Sequence, residues 1–411
     1  MLFRFFYSIG IRGYAFLVWL ASFFNPKAKL WIKGRKNIFA KISQLNIASE
    51  NVIWFHVSSL GEFEQARPLI EKIKRQNTSK KILITFFSPS GYEIRKNYES
   101  ADYVFYLPVD TKKNANLFLK LINPSLVFFV KYDFWVNYIQ QIHKKNIPLF
   151  LVSGVFRRNQ IFFKRKGKKY AEVLKCFNHF FVQDKESLFL LKNIGIETVT
   201  IAGDTRFDRV IEISEKSVDF NIIEEFAGNS ICFVAGSTWP SDEKIISQFI
   251  NSNVDDIKFI IAPHNIEENR IIDLLQLLNK KVVRYSKANL ESVSEYQVLI
   301  IDNIGMLASI YKYGKIAYIG GGFGAGIHNI LEAAVYGMPV IFGPNFKKFN
   351  EAKDLIELKA AFSITDSEEF NTIVKTFLSD LNFISATSEK AKNYVCKNKG
   401  ASQVIMEHVF K

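Results

Sequence analysis

The residues of this chain best suited to hold a phosphate lie in the glycine-rich segment KIAYIGGGFGAGIHNILEAAVYGMPVIFGP, residues 315–344. Here a predicted strand runs into a turn, and a helix is predicted to begin near His328-Asn329. Glycines let a backbone approach a ligand closely, and a helix start offers free N–H groups and a positive dipole end. Glu332, one turn into the helix, could accept hydrogen bonds from ribose hydroxyls. The segment therefore predicts nucleotide binding, and a turn whose glycines serve only packing is the alternative. The residues singled out are Gly320, Gly321, Gly322, His328, Asn329 and Glu332.

A carboxylate suited to proton transfer occurs in HVSSLGEFEQARPLI, residues 56–70. Glu62 stands at the turn after a predicted strand, where a helix starts, and could take a proton from an acceptor hydroxyl. The alternative is a charge that only complements the helix dipole. Glu64 is the fallback for the same role.

Polar residues also end two strands predicted in the second half of the chain. Ser237 and Thr238, in AGSTWPSDE, can donate hydrogen bonds to a phosphate, whereas Glu243 in the same segment has a simpler explanation as a capping carboxylate. His264 ends the strand of IAPHN. An isolated histidine is more often structural than a ligand, so both readings of His264 stay open.

Short apolar strands alternate with amphipathic helices along most of the chain. Such nearly continuous apolar runs are typical of parallel strands buried on both faces, and the alternation predicts α/β, doubly wound sheets. Residues 206–229 interrupt the pattern, which indicates two Rossmann-like domains facing a central cleft, with ligands at the carboxyl ends of the strands. The predicted divisions are an N-terminal membrane-associated helix at 1–24, a first Rossmann-like domain at 25–207, a second at 208–385 and a helix at 386–411 that could cross back to the first domain.

The amino-terminal segment and the charge distribution together point to a membrane surface. The apolar run from Gly13 to Phe24 is too short to span a bilayer, and Arg4 and Arg12 interrupt the longer segment. We expect an interfacial helix, with a helix packed on the protein's own core as the alternative. Residues 1–205 hold 32 Lys and Arg against 14 Asp and Glu. Anionic lipid is the favoured partner of this surplus, because no nucleic-acid-binding module is recognisable.

Metal and hydrolase signatures are missing from the sequence. It has no Asp-x-Asp, His-Glu-x-x-His or Gly-x-Ser-x-Gly motif, and its three cysteines are scattered at Cys176, Cys232 and Cys396. We therefore expect no metal, no cofactor and no disulfide framework, in a reducing compartment.

The order of these segments resembles the transferases that attach 3-deoxy-D-manno-octulosonic acid (Kdo) to a lipid A precursor. That resemblance implies a glycosyltransferase-B fold, CMP-Kdo as donor, no metal, inversion at the anomeric carbon and a place on the cytoplasmic face of the inner membrane. It implies that residues 25–207 form an acceptor-binding domain with Glu62 as the general base, and that residues 208–385 form a nucleotide-sugar-binding domain. It assigns to the donor side Ser237, Thr238, His264, Gly321, Gly322, His328, Asn329 and Glu332. The motifs that carry it are Ser59-Leu60-Gly61-Glu62, PSGYE (89–93), LPVD (107–110), DFWVN (133–137), VQD (182–184), GDTRFD (203–208), GSTWPSDE and GGGFGAGIHNILEAA.

Two positions depart from the family's pattern. Lys131 replaces the first acid of the usual Glu-x-Glu-Leu-Trp-Pro-Asn, so the role of that acid is lost or moves to Asp133. The usual Pro-Arg-His is here Pro263-His264-Asn265, so His264 or a nearby lysine must replace an arginine on the phosphate. The basic run 157–169 is either a solvated loop or a contact for acceptor phosphates. The acceptor-side candidates are Ser59, Gly61, Asp133, Arg157 and Arg158.

Two other functions remain open from the sequence. A UDP-sugar transferase or sugar-nucleotide epimerase of the same fold would share the glycine-rich turn. A non-catalytic, membrane-associated nucleotide-binding adapter would share the basic, apolar amino terminus.

Overall fold

The computed structural model describes residues 2–76, 79–253 and 256–411. The chain forms two compact units, the first comprising the residues up to Arg209 together with Gly400–Lys411, and the second Val210–Lys399. Among the described residues each unit contains one parallel sheet of seven strands. This agrees with the predicted pair of doubly wound α/β domains.

The first unit has strand order β3-β2-β1-β4-β5-β6-β7. Its strands are β1 (Val52–Val57), β2 (Lys81–Phe86), β3 (Tyr103–Tyr106), β4 (Leu126–Val130), β5 (Leu149–Gly154), β6 (His179–Val182) and β7 (Val199–Ile201). Its helices are α1 (Leu2–Ala21), α2 (Pro26–Arg35), α3 (Ile38–Ser43), α4 (Leu60–Gln76), α5 (Pro89–Arg95), α6 (Lys112–Ile122), α7 (Val136–Lys144), α8 (Lys168–Leu174) and α9 (Lys185–Lys192). Helix α10 (Thr205–Glu215) contains the division between the units.

The second unit has strand order β10-β11-β9-β8-β12-β13-β14. Its strands are β8 (Ile231–Thr238), β9 (Ile257–Pro263), β10 (Val282–Arg284), β11 (Val298–Ile300), β12 (Ile316–Ile319), β13 (Val340–Phe342) and β14 (Ala361–Ser363). Its helices are α11 (Asn221–Ala227), α12 (Pro240–Ser252), α13 (Glu268–Gln276), α14 (Leu307–Ile310), α15 (Leu331–Ala334), α16 (Asn350–Glu357), α17 (Ser367–Ser379) and α18 (Leu381–Lys397).

The central strands are buried on both faces because helices cover both sides of each sheet. Every residue of β1 is buried, and Trp54 within it packs edge-on against Phe118, Phe129 and Tyr138. Burying a large aromatic side chain of this kind contributes roughly 2–3 kcal/mol. The apolar runs of the sequence thus form buried strands, and the turns at their carboxyl ends follow well-packed segments.

The end of the chain differs from the single predicted helix at 386–411. It forms the last part of α18 and a separate helix, α19 (Ala401–Val409). Gly400, with φ +109°, makes the break, and its N–H donates to Asp208. Residues 386–399 belong to the second unit, whereas α19 belongs to the first, where Ile405 and Met406 join the core.

Helix α1 carries apolar residues on both of its faces, one packed against the protein and one exposed. A half-buried stripe, Tyr7, Ile11, Ala15 and Val18, lies against the rest of the first unit, and the Tyr7 hydroxyl donates to Asp110 at 2.7 Å. The opposite face is exposed and largely aromatic. Over the residues that the structure describes, no helix is both long and apolar enough to cross a membrane. One face of α1 is thus packed on the protein, as the alternative interpretation predicted, and the other face is not.

Candidate active site

Glu62 lies at the carboxyl end of β1, in the first turn of α4. Its side chain folds back so that Oε2 accepts the N–H of Ser58, one residue beyond the strand. The side chain is only 6% exposed. The carboxylate thus caps the helix start and sits at the ligand-binding edge of the sheet, so both predicted roles of Glu62 are compatible with its position.

Burial raises the pKa of Glu62 to about 8, and the negative charge of Asp133 adds to this rise. The Ser58 and Ser59 N–H groups and the Lys131 ammonium oppose the rise only in part. A carboxyl group with a pKa near neutrality is well matched to general-base work. Of the predicted acceptor-side residues, the structure thus brings Ser59 and Asp133 close to Glu62, and Gly61 precedes it in α4.

Ser58 connects the two carboxylates. Its N–H donates to Glu62 and its hydroxyl donates to Asp133. Asp133 also lies 3.3 Å from Nε2 of His56, and its side chain is 16% exposed. The site is therefore a pair of acids held at a fixed separation by one serine, and the Asp133 carboxylate is the more accessible of the two.

His56 and Trp135 complete this network, and neither was singled out from the sequence. Trp135 Nε1 donates to His56 Nε2 at 2.8 Å, so that nitrogen carries no proton. The other ring nitrogen, Nδ1, is 2.9 Å from the Thr85 hydroxyl, so both ring nitrogens of His56 have a polar partner. A fully buried histidine inside the apolar run VIWFHV was the available signal, because such a strand position rarely holds a polar group without a partner.

Lys131, which stands where the sequence resemblance led us to expect an acid, follows β4 in a left-handed conformation with φ +67°. Non-glycine residues with this backbone are uncommon and concentrate at functional sites. The Lys131 charge lowers the pKa of both Glu62 and Asp204. The substitution therefore puts a cation into electrostatic reach of the candidate base.

The two predicted arginines of the basic run are exposed. Arg158 pairs with Glu186 at 3.3 Å, and its side chain is 78% exposed. Arg157 acts on Tyr132: burial and the Glu62 charge raise the pKa of Tyr132, and Arg157 opposes that rise. Of the two, only Arg157 is thus linked to the Glu62 region.

In the second unit, three rings stack at the carboxyl ends of β8, β9 and β12. Trp239 and His264 are stacked with centroids 4.5 Å apart, and His264 and His328 with centroids 4.6 Å apart. Trp239 Nε1 donates to His328 Nε2 at 3.1 Å. The structure therefore brings together two predicted donor residues, His264 and His328, with Trp239, which was not predicted.

Burial disfavours the protonated form of both histidines in this stack. Burial lowers the pKa of His328 to about 4, with a further contribution from His264, and burial also lowers the pKa of His264. The idea that His264 or a nearby lysine replaces the missing arginine on the phosphate stays a prediction, and the burial of His264 favours its neutral form. A cation is linked to this region through Glu243. The Arg270 guanidinium donates to Glu243 at 2.7 Å, and Glu243 also accepts the Thr238 hydroxyl at 3.1 Å.

The glycine-rich turn is built by close backbone packing. A Cβ on Gly320 would lie 2.2 Å from the Ser237 carbonyl oxygen, so no other residue fits there. Gly321 has φ +91°, and its N–H donates to Asp242 at 2.9 Å. Asp242 also accepts the Trp239 N–H, which ties the turn to the ring stack.

These contacts differ from the predicted set of free N–H groups at a helix start. The N–H groups of Gly320, Gly324, Gly326 and His328 all donate to backbone oxygens. Within the described part of the chain, those of Gly322 and Phe323 have no protein acceptor. The helix begins later than predicted and is a single turn, α15, so the positive dipole end is weaker than expected.

Asn329 and Glu332 lie together before and within that turn. The Asn329 amide donates to Glu332 at 3.0 Å, and its oxygen accepts the Leu331 N–H. The Glu332 charge also helps burial to raise the pKa of Tyr311. Asn329 thus holds the carboxylate that was predicted to accept ribose hydroxyls.

A cavity of about 720 Å³ adjoins the ring stack within the second unit. Its volume lies in the range of small-molecule sites. The loop after β11 forms one wall, and this loop was not singled out from the sequence. Ser237, which has φ +53°, also lines the cavity. Its lining residues include Ser237, Trp239, His264, Asn303, Ile304 and Gly305.

The two parallel α/β units define the glycosyltransferase-B class, and solved structures of this fold superimpose on the chain. UDP-GlcNAc 2-epimerase from Neisseria meningitidis, bound to UDP-GlcNAc, matches with a TM-score of 0.62 at 15% identity, covering 87% of this chain and 99% of that one. MurG from Acinetobacter baumannii matches with a TM-score of 0.55 at 11% identity, covering 88% and 99%. At these identities the likeness concerns the fold alone.

Sequence relatives are more specific than the fold. Residues 33–209 match the family model described as 3-deoxy-D-manno-octulosonic-acid transferase. A Kdo transferase of Aquifex aeolicus is 29% identical over 352 residues, which cover 84% of this chain and 90% of that protein. A bifunctional glycosyltransferase/methyltransferase of Fusobacterium nucleatum is also 29% identical, but the chain spans only 57% of its length. The predicted resemblance is therefore confirmed: the chain is a homologue of the Kdo transferases, and the homology supports a Kdo-glycosyltransferase role.

Proposed function

We propose that this protein transfers Kdo from CMP-Kdo to a lipid A precursor, lipid IVA, in lipopolysaccharide core biosynthesis, with inversion and without a metal or cofactor. The observation that carries the proposal is Glu62, a buried carboxylate at a strand end whose pKa is raised to about 8, in a homologue of Kdo transferases. Such a group can hold or accept a proton under ordinary conditions.

On the donor side, we assign the cavity and ring stack of the second unit to the cytidylate. Neutral aromatic rings favour the flat face of a pyrimidine, and the Trp239–His264–His328 stack supplies such a surface. The phosphate is assigned to the turn after β12, where the N–H groups of Gly322 and Phe323 have no acceptor among the described residues. Preorganised donors there would stabilise the charge that grows as CMP departs.

The transfer step that we propose is a single displacement. The acceptor hydroxyl loses its proton to the Glu62 carboxylate while its oxygen forms a bond to the anomeric carbon of Kdo. The bond from that carbon to the phosphate oxygen breaks, and CMP leaves with the electron pair. Attack opposite the leaving group inverts the anomeric centre. General-base assistance of this kind typically contributes a factor of about 10²–10⁴.

The same proposal places the protein on the cytoplasmic face of the inner membrane. The exposed face of α1 is aromatic and apolar, and the first half of the chain carries the basic surplus. Helices of this composition lie in the headgroup region of anionic membranes. This location would bring the active site to an acceptor that is itself a lipid.

Two alternatives follow from the fold and the amino terminus. A UDP-sugar transferase or epimerase would prefer UDP to CMP, and a non-catalytic adapter would bind nucleotide without forming product. Competition between CMP and UDP for binding to the purified protein distinguishes the first alternative from the proposed function, because a UDP-sugar enzyme would bind UDP more tightly. Product analysis distinguishes the second, because an adapter would form no product.

The deciding experiment incubates the protein with CMP-Kdo and a tetraacylated lipid A precursor and weighs the product by mass spectrometry, with and without EDTA. Glu62→Gln should lose transfer by about 10²–10⁴-fold while CMP-Kdo binding stays near the wild-type value. Glu64→Gln is the matched control, since Glu64 lies in the same helix but pairs with Arg95 at 2.9 Å. Comparable turnover in Glu62→Gln and Glu64→Gln would remove Glu62 from the role, and no product from wild type would reject the function.

A further inference from the structure

A cleft of about 650 Å³ in the first unit lies between α1, α6 and α7, and the proposed reaction does not use it. We call it the basic cleft. Four of its lining residues are cationic and the others are polar or apolar, with no acid among them. The lining residues are Ser8, Arg12, Thr111, Lys112, Lys113, Asn116, Leu117, Lys120 and Gln141.

The positive charge of the basic cleft is not neutralised by the protein. Within the described chain, none of its four cations, Arg12, Lys112, Lys113 and Lys120, forms an ion pair. The amino-terminal end of the eleven-residue α6 adds the positive end of a helix dipole. A concentration of unpaired positive charge in a concave site selects an anion, and lysine and arginine donors suit phosphate oxygens.

The position of Arg12 on α1 indicates where that anion comes from. Phe5 and Trp19 are each seven residues from Arg12, and Phe16 is four residues from it, so all lie on one stripe of the helix. The three aromatic side chains are 45–62% exposed. The stripe thus has aromatic side chains on either side of Arg12, which lines the basic cleft.

We propose that the basic cleft binds the phosphodiester headgroup of an anionic glycerophospholipid from the leaflet on which α1 lies. The aromatic stripe would enter the acyl boundary while Arg12 and the α6 lysines hold the phosphate at headgroup depth. One bound headgroup would fix the orientation of the first unit on the membrane, which a purely apolar face does not. This inference rests on the membrane association proposed above.

The test compares two double variants that remove the same charge with the same spacing. Lys113→Gln/Lys120→Gln alters the basic cleft on α6. Lys185→Gln/Lys192→Gln alters two exposed lysines, also seven residues apart on α9, that form no ion pair within the described chain. Binding is measured by flotation with vesicles of phosphatidylcholine alone or mixed with phosphatidylglycerol, without any acceptor lipid.

At about 1 kcal/mol for each lysine near an anionic surface, the cleft variant should bind the mixed vesicles on the order of 20–30-fold more weakly. The control variant should change by less than about threefold, and thermal melts should show both variants folded. Equal losses in the two variants would overturn the assignment, because the overall positive charge would then explain binding. No loss in either variant would also overturn it, because these lysines would then not contribute to binding.

A transfer assay in neutral detergent micelles separates this inference from the proposed function. The cleft variant should retain the wild-type rate and acceptor KM there, since no phospholipid is present. A raised acceptor KM with unchanged vesicle binding would mean that acceptor phosphates occupy the basic cleft, which overturns the proposal. If the wild type forms no product, the proposed function fails, and the vesicle comparison still decides whether the cleft binds phospholipid.

Discussion

Replacing Glu62 by Gln should make the first unit more stable at alkaline pH even as it removes the proposed base. The ionised form of this carboxyl group is disfavoured in the folded protein, because burial and the neighbouring Asp133 charge raise its pKa. Glutamine keeps the shape and can still accept the Ser58 N–H without carrying a charge. The variant therefore removes a cost that the folded wild type bears.

The sign and size follow from linkage. The pKa of Glu62 is 4.5 ordinarily and about 8 in the folded protein. Between pH 4.5 and about pH 8 the folded state therefore binds more protons than the unfolded state, so the free energy of unfolding falls as pH rises through this window. The full difference corresponds to an upper limit of about 5 kcal/mol above pH 8. Below about pH 4 the contribution vanishes, since both states are protonated.

Thermal or urea unfolding of wild type, Glu62→Gln and Glu64→Gln across this pH window measures the effect. The stability gain of Glu62→Gln over wild type should grow from about pH 4.5 to about pH 8 and then level off. Glu64→Gln should show no such growth, because Glu64 is partly exposed and paired with Arg95. A gain that is independent of pH, or a loss that deepens with pH, would refute the account of Glu62.

Three further outcomes are expected. With the pKa of Glu62 near 8, the transfer rate should rise with pH up to about 8, and Asp133→Asn should move that limb to lower pH because it removes a neighbouring negative charge; a pH–rate profile checks both. Trp239→Ala should weaken CMP binding by about 1–3 kcal/mol in calorimetry, and Trp239→Phe should recover most of it, through stacking. Gly320→Ala should cost more than about 1–3 kcal/mol of stability, because its Cβ would meet a backbone oxygen at 2.2 Å, whereas Gly324→Ala, with its nearest atom at 3.6 Å, should unfold like wild type.

The fold was accessible from the sequence because its signals are local. Apolar runs such as VIWFHV and KIAYI report burial on both faces, and the helices between them leave parallel pairing as the natural arrangement. The short edge strands were harder to predict. The strand Val282–Arg284 has three residues and is only partly buried, so its pairing with β11 depends on the sheet already present.

The site was less accessible because it depends on contacts between distant segments. The Glu62 position followed from a motif, but the link from Ser58 to Asp133 joins residues 75 apart, and that from His56 to Trp135 joins residues 79 apart. The glycine-rich turn was located correctly along the chain, yet its N–H groups were assigned to a phosphate when several of them serve the fold. Which N–H groups of the turn stay available to a ligand depends on contacts with neighbouring segments, and the sequence does not give these contacts.

Burial gives the two candidate sites a common electrical character. In the first unit it raises the pKa of Glu62 to about 8, and in the second it lowers the pKa of His264 and His328. Burial therefore favours the neutral form of the titratable groups at both sites. Lys131 opposes this effect in the first unit, because its charge lowers the pKa of Glu62 against the influence of Asp133. Lys131 stands where the sequence resemblance led us to expect an acid. Its charge makes the candidate base easier to ionise and so offsets part of the cost of burying it.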